Sequence, residues 1–195
     1  MLVPISRLLH APVLSLQTGA ELARIDKAIV DPRQLLIAAF RVNGKLLDHT
    51  ASVLHPEDIR EISDLGIIID SSDQLMSLEG LVRLQKVIDF GFELNNLRVE
   101  DELGHKLGHV ESYAIELNTF TIQQIYVRPS FLKSLSVSTL SIRRTQVVSV
   151  DNNVLTVKST GIKESEPLQN ATRMLTNPFR GTATQQPEAS EVTRR

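Results

Sequence analysis

The sequence predicts a mainly β protein: two tandem small β-barrels joined by a short helix and followed by a disordered C-terminal tail. Three observations carry this. Apolar residues and turn glycines recur at a spacing of about 80–85 residues, too long for a solenoid unit and suited to a duplicated small domain. Within each copy, short apolar runs are bounded by Gly, Pro, Asn and Asp, the punctuation of strands and turns. After Lys158 the apolar pattern stops.

In the first copy, Val13, Leu14 and Leu16 precede a turn at Thr18-Gly19, where glycine takes positive φ without steric cost. Ala23–Val30 and Leu35–Val42 read as two strands parted by Asp31-Pro32-Arg33, and Asn43-Gly44 signals a hairpin. His55-Pro56-Glu57-Asp58-Ile59 reads as one helical turn, with Pro at its first position and acids against the N-terminal dipole. Ile67-Ile68-Ile69 closes the copy as a last strand. Leu78–Asp89 carries apolar residues at Leu78, Leu81, Val82, Leu84, Val87 and Ile88, a one-faced stripe that predicts the joining helix. The stripe is expected to pack between the barrels, making the tandem rigid.

The second copy repeats the plan. Gly104 stands where Gly19 stood, Leu107 where Leu22 stood, and Val110 where Ile25 stood. His109–Leu117 and Thr119–Val127 predict paired strands, and Gln146–Val150 with Val154–Val157 a closing hairpin across Asp151-Asn152-Asn153. Asp58-Ile59-Arg60-Glu61 aligns with Ser141-Ile142-Arg143-Arg144, and Ile67–Ser72 with Val148–Asn153. The expected boundaries are residues 1–77 and 91–160 for the barrels, 78–90 for the helical linker and 161–195 for the tail. That tail is rich in Thr, Glu, Gln, Pro and Asn and too poor in apolar surface to offset its ordering entropy.

Composition narrows the function. The 195 residues hold 42% hydrophobic and 23% charged residues, ordinary for a chain that buries a core. Only six Phe and two Tyr are present, so Leu, Ile and Val must build that core. A net charge of −2 argues against a protein whose main work is non-specific nucleic-acid binding. Zero cysteines exclude disulfides, thiolate zinc sites and cysteine nucleophiles. Pro4, Arg7, His10 and Pro12 interrupt the apolar N-terminus, and no apolar run reaches the length of a membrane span; the expectation is a cytoplasmic protein.

The run Val99-Glu100-Asp101-Glu102-Leu103-Gly104-His105-Lys106-Leu107-Gly108-His109-Val110 resembles the opening of a PRC-barrel domain, V-x-(D)-x-x-G-x-x-[LI]-G-x-[VI]. The first copy keeps Val13, Gly19 and Ile25 but has Ala23 in place of the second glycine. Leu54 through Ile69 resembles the family's closing helical turn and last strand. The resemblance spans about residues 3–160 as two tandem domains. It implies small barrels used as protein-binding modules, as in the cytoplasmic domain of the photosynthetic reaction-centre H subunit and the C-terminal domain of a ribosome-maturation factor. It brings no catalytic residues, cofactor or metal.

Candidate chemistry is sparse. His105 and His109 stand four apart, a ligand spacing on a helix, but on a strand they lie ~13 Å apart. Arg128, Lys133, Arg143 and Arg144 form a local basic cluster with Tyr126 and Phe131 nearby, the candidate partner-binding residues. Glu100-Asp101-Glu102 and the pair Asp70 and Asp73 read as turn carboxylates rather than an acid–base pair or calcium loop. Gly19, Gly104 and Gly108 are the expected structural turn glycines. Together these predict a non-enzymatic adaptor or assembly factor that binds a larger protein complex, with no cofactor. The alternative is an RNA-processing or ribosome-maturation accessory protein.

Overall fold

The computed structural model describes residues 1–44, 47, 52–79, 81–130, 139–158 and 163–165. A short strand β1 (Leu2–Pro4) opens the chain. The first half follows as β2 (Pro12–Ser15), β3 (Glu21–Asp31), β4 (Leu36–Asn43), β5 (Ser52–Leu54), β6 (Glu61–Ser63), β7 (Gly66–Ile69) and β8 (Leu75–Ser77). One helix, α1 (Val82–Asp89), leads to the second half: β9 (Arg98–Asp101), β10 (Lys106–Glu116), β11 (Thr121–Pro129), β12 (Thr139–Arg143), β13 (Val147–Val150), β14 (Val154–Val157) and β15 (Lys163–Ser165).

The halves are copies, strand for strand. In space the first runs β6-β7-β2-β3-β4-β5-β8 and the second β13-β14-β9-β10-β11-β12-β15. Each contains one parallel pair, β2 with β7 and β9 with β14, and is otherwise antiparallel. A single helical turn precedes the closing hairpin in both, Pro56–Asp58 and Arg144–Gln146. The parallel pairs fix the residue equivalence. Ile67 lies opposite Val13 and Leu155 opposite Val99. The expected match of Ile67–Ile69 to Val148–Val150 is therefore one strand out of phase. Both segments are short runs rich in β-branched residues, and only the pairing to β2 and β9 tells the inner strand from the outer one.

The expected pair of closed barrels is not formed by strand pairing. All fifteen strands among the described residues belong to one large mixed sheet. β6, β8 and β15 have three residues each and β13 four, which supplies too few ladder bonds to close a ring whose strands must also tilt and stagger. The halves meet where Leu36 pairs with Thr121. The Ile37 amide donates to the Phe120 carbonyl (2.9 Å) and the Ile122 amide to the Leu35 carbonyl (2.8 Å), a reciprocal exchange between equivalent residues. Leu35 and Phe120 both adopt positive φ, 47° and 51°. The Phe120 ring meets Phe40 edge-on at 6.1 Å across the junction.

One hydrophobic core runs through both halves, from Ile5 and Leu8 through Ile25, Phe40 and Ile67 to Val110, Ile125, Ile142 and Leu155. Inward positions alternate along the strands, so Val42 and Val127, or Ile37 and Ile122, fill equivalent places. Bulk is exchanged across strand pairs: Ala28 faces Phe40 in the first half, while Tyr113 faces Ile125 in the second. Burial pushes the Tyr113 hydroxyl far above the ordinary range. β1 does not stay with the first half. It pairs with β10, Val3 opposite Ile115, and carries the chain's first residues onto the second copy.

Three further expectations are corrected. The helix begins at Val82 rather than Leu78, and it does not lie between the halves. Leu84 packs with Ala39 and Val53 on the outer face of the first half, joined by Leu78, Leu81, Ile88, Ile29 and Met76. Val82 is 65% exposed. Asn43-Gly44 is not a two-residue hairpin, since Val42 pairs with Ser52 on the returning strand. The segment expected to be disordered contains a strand: Lys163–Ser165 pairs with β12, because an open edge offers main-chain hydrogen bonds whatever the side chains. Residues 166–195 lie outside the described ones.

Candidate functional site

The outer faces of the two halves differ, and the difference is written in the strands. Where the first half presents Ile29, Ala39 and Val53, the second presents Ala114, Gln124 and Ser141 at the equivalent positions. The apolar set is covered by α1; in the second set Ala114 and Ser141 are buried and Gln124 is half-buried. What the second half's outer face exposes lies around these positions: Arg98 on β9, His109 on β10, Arg128 on β11 and Arg143 on β12.

Cross-strand register arranges this face in rows, since residues directly opposite one another project from the same side. Arg98, His109 and Arg128 form one row, and all three are exposed. Ser112, Tyr126 and Ser141 form the next. Gln124 and Arg143 form the third, its arginine exposed and roughly 13 Å along β11 from Arg128 at strand rise. Arg98 is drawn to Glu100, Nε to Oε1 at 3.1 Å. Gln124 donates to the Ser141 hydroxyl. Tyr126 is half-buried between the cationic rows, and burial raises its hydroxyl above the usual range. The equivalent first row in the other half is Pro12, Arg24 and Asn43; its arginine is held by Glu21 at 2.7 Å.

Of the four basic residues singled out in the sequence, the face gathers two, Arg128 and Arg143. Arg144 is engaged elsewhere. Its guanidinium donates to the Leu35 carbonyl at 2.8 Å and the Gln34 carbonyl at 2.5 Å, tying the second half to the β3–β4 turn of the first. Lys133 and Phe131 lie outside the described residues. Arg98 and His109 were missed as partners of Arg128, because only register reveals that three strands bring them together.

The turn residues are placed as follows. Gly19 (φ 68°) and Gly104 (φ 82°) sit at equivalent turns, each amide donating back to the carbonyl of Ser15 or Asp101. Gly108 is not at a turn. It lies within β10, where a Cβ would stand 2.0 Å from the Arg128 carbonyl oxygen. The first half solves the same crowding from the opposite strand: Ala23 occupies the place of Gly108, and Gly44 lies against the Leu22 carbonyl, 2.3 Å from where its Cβ would be.

His105 and His109 do not converge. His105 Nδ1 lies 2.9 Å from Asp101 Oδ2, while His109 is in the row described above. Burial alone would push the Asp101 carboxyl up; the His105 ring and the amides of His105 and Leu103 outweigh it and hold the group below the ordinary carboxylate range. Asp70 is bound by Arg60 at 2.7 and 3.1 Å, which lowers its carboxyl in the same sense. Among the described residues no group of three or more His, Asp or Glu is placed to hold a metal ion, and no helix is long and apolar enough to cross a membrane. The chain matches no protein-family model and no curated protein.

Proposed function

We propose that the chain is a non-enzymatic, cytoplasmic adaptor or assembly factor, built from two PRC-type modules, that binds a larger protein complex. Each module is read as an open-edged form of the PRC barrel; the repeated strand order, the turn glycines Gly19 and Gly104 and the parallel closing strand support that reading. The observation that carries the docking function is the outer face of the second half. Its equivalent in the first half carries α1 on Ile29, Ala39 and Val53, while this one exposes Arg98, His109, Arg128 and Arg143. Exposed arginines on one face, of which Arg98 is paired with Glu100, steer and select an acidic protein surface.

Tyr126, set between two cationic rows, favours a second reading, RNA binding, in which bases stack on the ring and phosphates meet the arginines. One experiment separates the two. The immobilised full-length chain and an Arg128→Glu/Arg143→Glu variant are compared for what they retain, at low and moderate salt. The docking reading expects a defined protein set, lost on charge reversal, with thermal unfolding unchanged. Retained RNA whose binding collapses as salt rises supports the second reading. Identical retention by both chains overturns the role of this face.

A further inference from the structure

The two halves differ at one strand edge. In the second half, β10 carries β9 on one side and, farther along the same side, β1: Leu2, Val3 and Pro4 pair with Glu116, Ile115 and Ala114. The equivalent stretch of β3 is Ile29, Val30 and Asp31. On that side β3 pairs with β2 only as far as Arg24, and among the described residues no strand continues the ladder along Ile29–Asp31. Val30 lies opposite Ile37 on β4, yet the Ile37 amide is given to Phe120. By antiparallel alternation the Val30 N–H and C=O therefore point away from β4, toward the side that β1 fills in the second half; Val30 itself is buried. Ile115, its counterpart, turns the same way and is met there by Val3.

A cavity of about 320 Å³ adjoins this edge. Ile29, Val30, Val87, Ile88 and Phe92 line it, with the Lys27–Glu93 ion pair at its rim. Its far wall is the last turn of α1, whose helical backbone rises only about 1.5 Å per residue and cannot run along β3 as a strand. The charge plan is also repeated. In the second half the Glu116 carboxylate accepts from the Met1 ammonium at 2.5 Å, just ahead of the paired strand. In the first half the equivalent position is Asp31, whose Oδ1 accepts the Arg33 amide at 2.8 Å and whose second oxygen has no cation against it among the described residues.

We propose that the Ile29–Asp31 edge of β3 is a docking site for an extended apolar peptide segment of a partner protein, added as a strand with a positive charge one residue ahead of it. The inference deepens the docking reading and rests on it, but it concerns the other half of the molecule. The chain's own β1 on β10 shows the chemistry of the occupant: a branched apolar residue paired to the central position and a cation against the carboxylate. This is strand addition, in which main-chain bonds supply affinity and alternate side chains enter pockets.

The probe is a synthetic peptide of the sequence Met1–Arg7, free at its amino end and fluorescently labelled at its carboxyl end, titrated against the full-length chain by anisotropy. Saturable one-to-one binding is expected. Methylating the peptide's Val3 nitrogen should abolish it, because that atom gives the ladder bond. Asp31→Asn keeps the acceptor for Arg33 and removes the charge; it should weaken binding about threefold to tenfold, the scale of a charge-assisted hydrogen bond at a partly exposed site. Glu116→Gln should leave the affinity unchanged. No saturation, indifference to N-methylation, or a response to Glu116→Gln without one to Asp31→Asn overturns the proposal; the last would mean exchange with β1 on β10. A peptide-free dimer that the peptide dissociates would also overturn it, naming a second copy as the occupant. None of these outcomes bears on the test at Arg128 and Arg143.

Discussion

At the scale of single residues, two glycines with positive φ do different work. Gly104 turns the chain in open space, with nothing near a would-be Cβ, so Gly104→Ala costs only the backbone strain of a left-handed residue, about 1–2 kcal/mol. Gly108 lets β11 approach, and its Cβ would overlap the Arg128 carbonyl. Gly108→Ala should therefore destabilise more than Gly104→Ala in chemical denaturation; equal costs would mean that the strands part without penalty. Asp101 supplies a pH prediction. Its folded carboxyl lies below the unfolded one, so its contribution is present above the unfolded value near about 4 and is lost as pH falls through the folded value. Asp101→Asn should destabilise at neutral pH, and the gap to the parent chain should shrink in acid. A gap that is constant with pH would show that the Asp101 charge plays no part. The turn at Gly104 was legible in the sequence because a turn glycine is a local signal. Gly108 was misplaced into a turn because its need arises from a strand that follows it in the chain, and the Gly44–Ala23 exchange shows the same requirement met from the other side.

At the scale of elements, β3, β4, β10, β11, β13 and β14 were legible, since alternation and turn residues are local. The helix was legible as a stripe but not in its destination. Its partners Ala39, Val53 and Ile29 come from three strands, and recognising their face requires comparison with Gln124, Ser141 and Ala114 after register is known. Leu84→Asp should lower stability by about 2–5 kcal/mol, the range for losing a buried aliphatic side chain, without altering retention of a partner by the second half. Arg144 is a similar case. Read as a free cation beside Arg143, it is instead a brace on the Leu35 and Gln34 carbonyls. Arg144→Ala should cost about 1 kcal/mol in denaturation, whereas Arg143→Ala should stay within about 0.5 kcal/mol, as a surface substitution does. The reverse order would place the brace at the wrong arginine.

At the scale of the whole molecule, duplication was legible but independence of the copies was not what it produced. β1 belongs to the first half by sequence and to the second by pairing; the Leu36–Thr121 bridge and the Phe40–Phe120 contact join the two halves. With the core continuous from Ile5 to Val157, neither half can expose its interior without exposing the other's. A single cooperative transition is therefore expected in calorimetry, with equal calorimetric and van't Hoff enthalpies. Deleting Met1–Pro4 tests the coupling directly. It removes buried Val3 and strips one edge of β10, at a cost of about 2–3 kcal/mol for the lost burial alone. If the halves are one unit, the whole transition moves down as one, and protection against hydrogen exchange falls in β3 and β4 as well as in β10. If they are separate, the transition splits and only the second half loses protection. The same deletion frees Ile115 to take the Met1–Arg7 peptide, so the truncated chain should bind two where the full chain binds one.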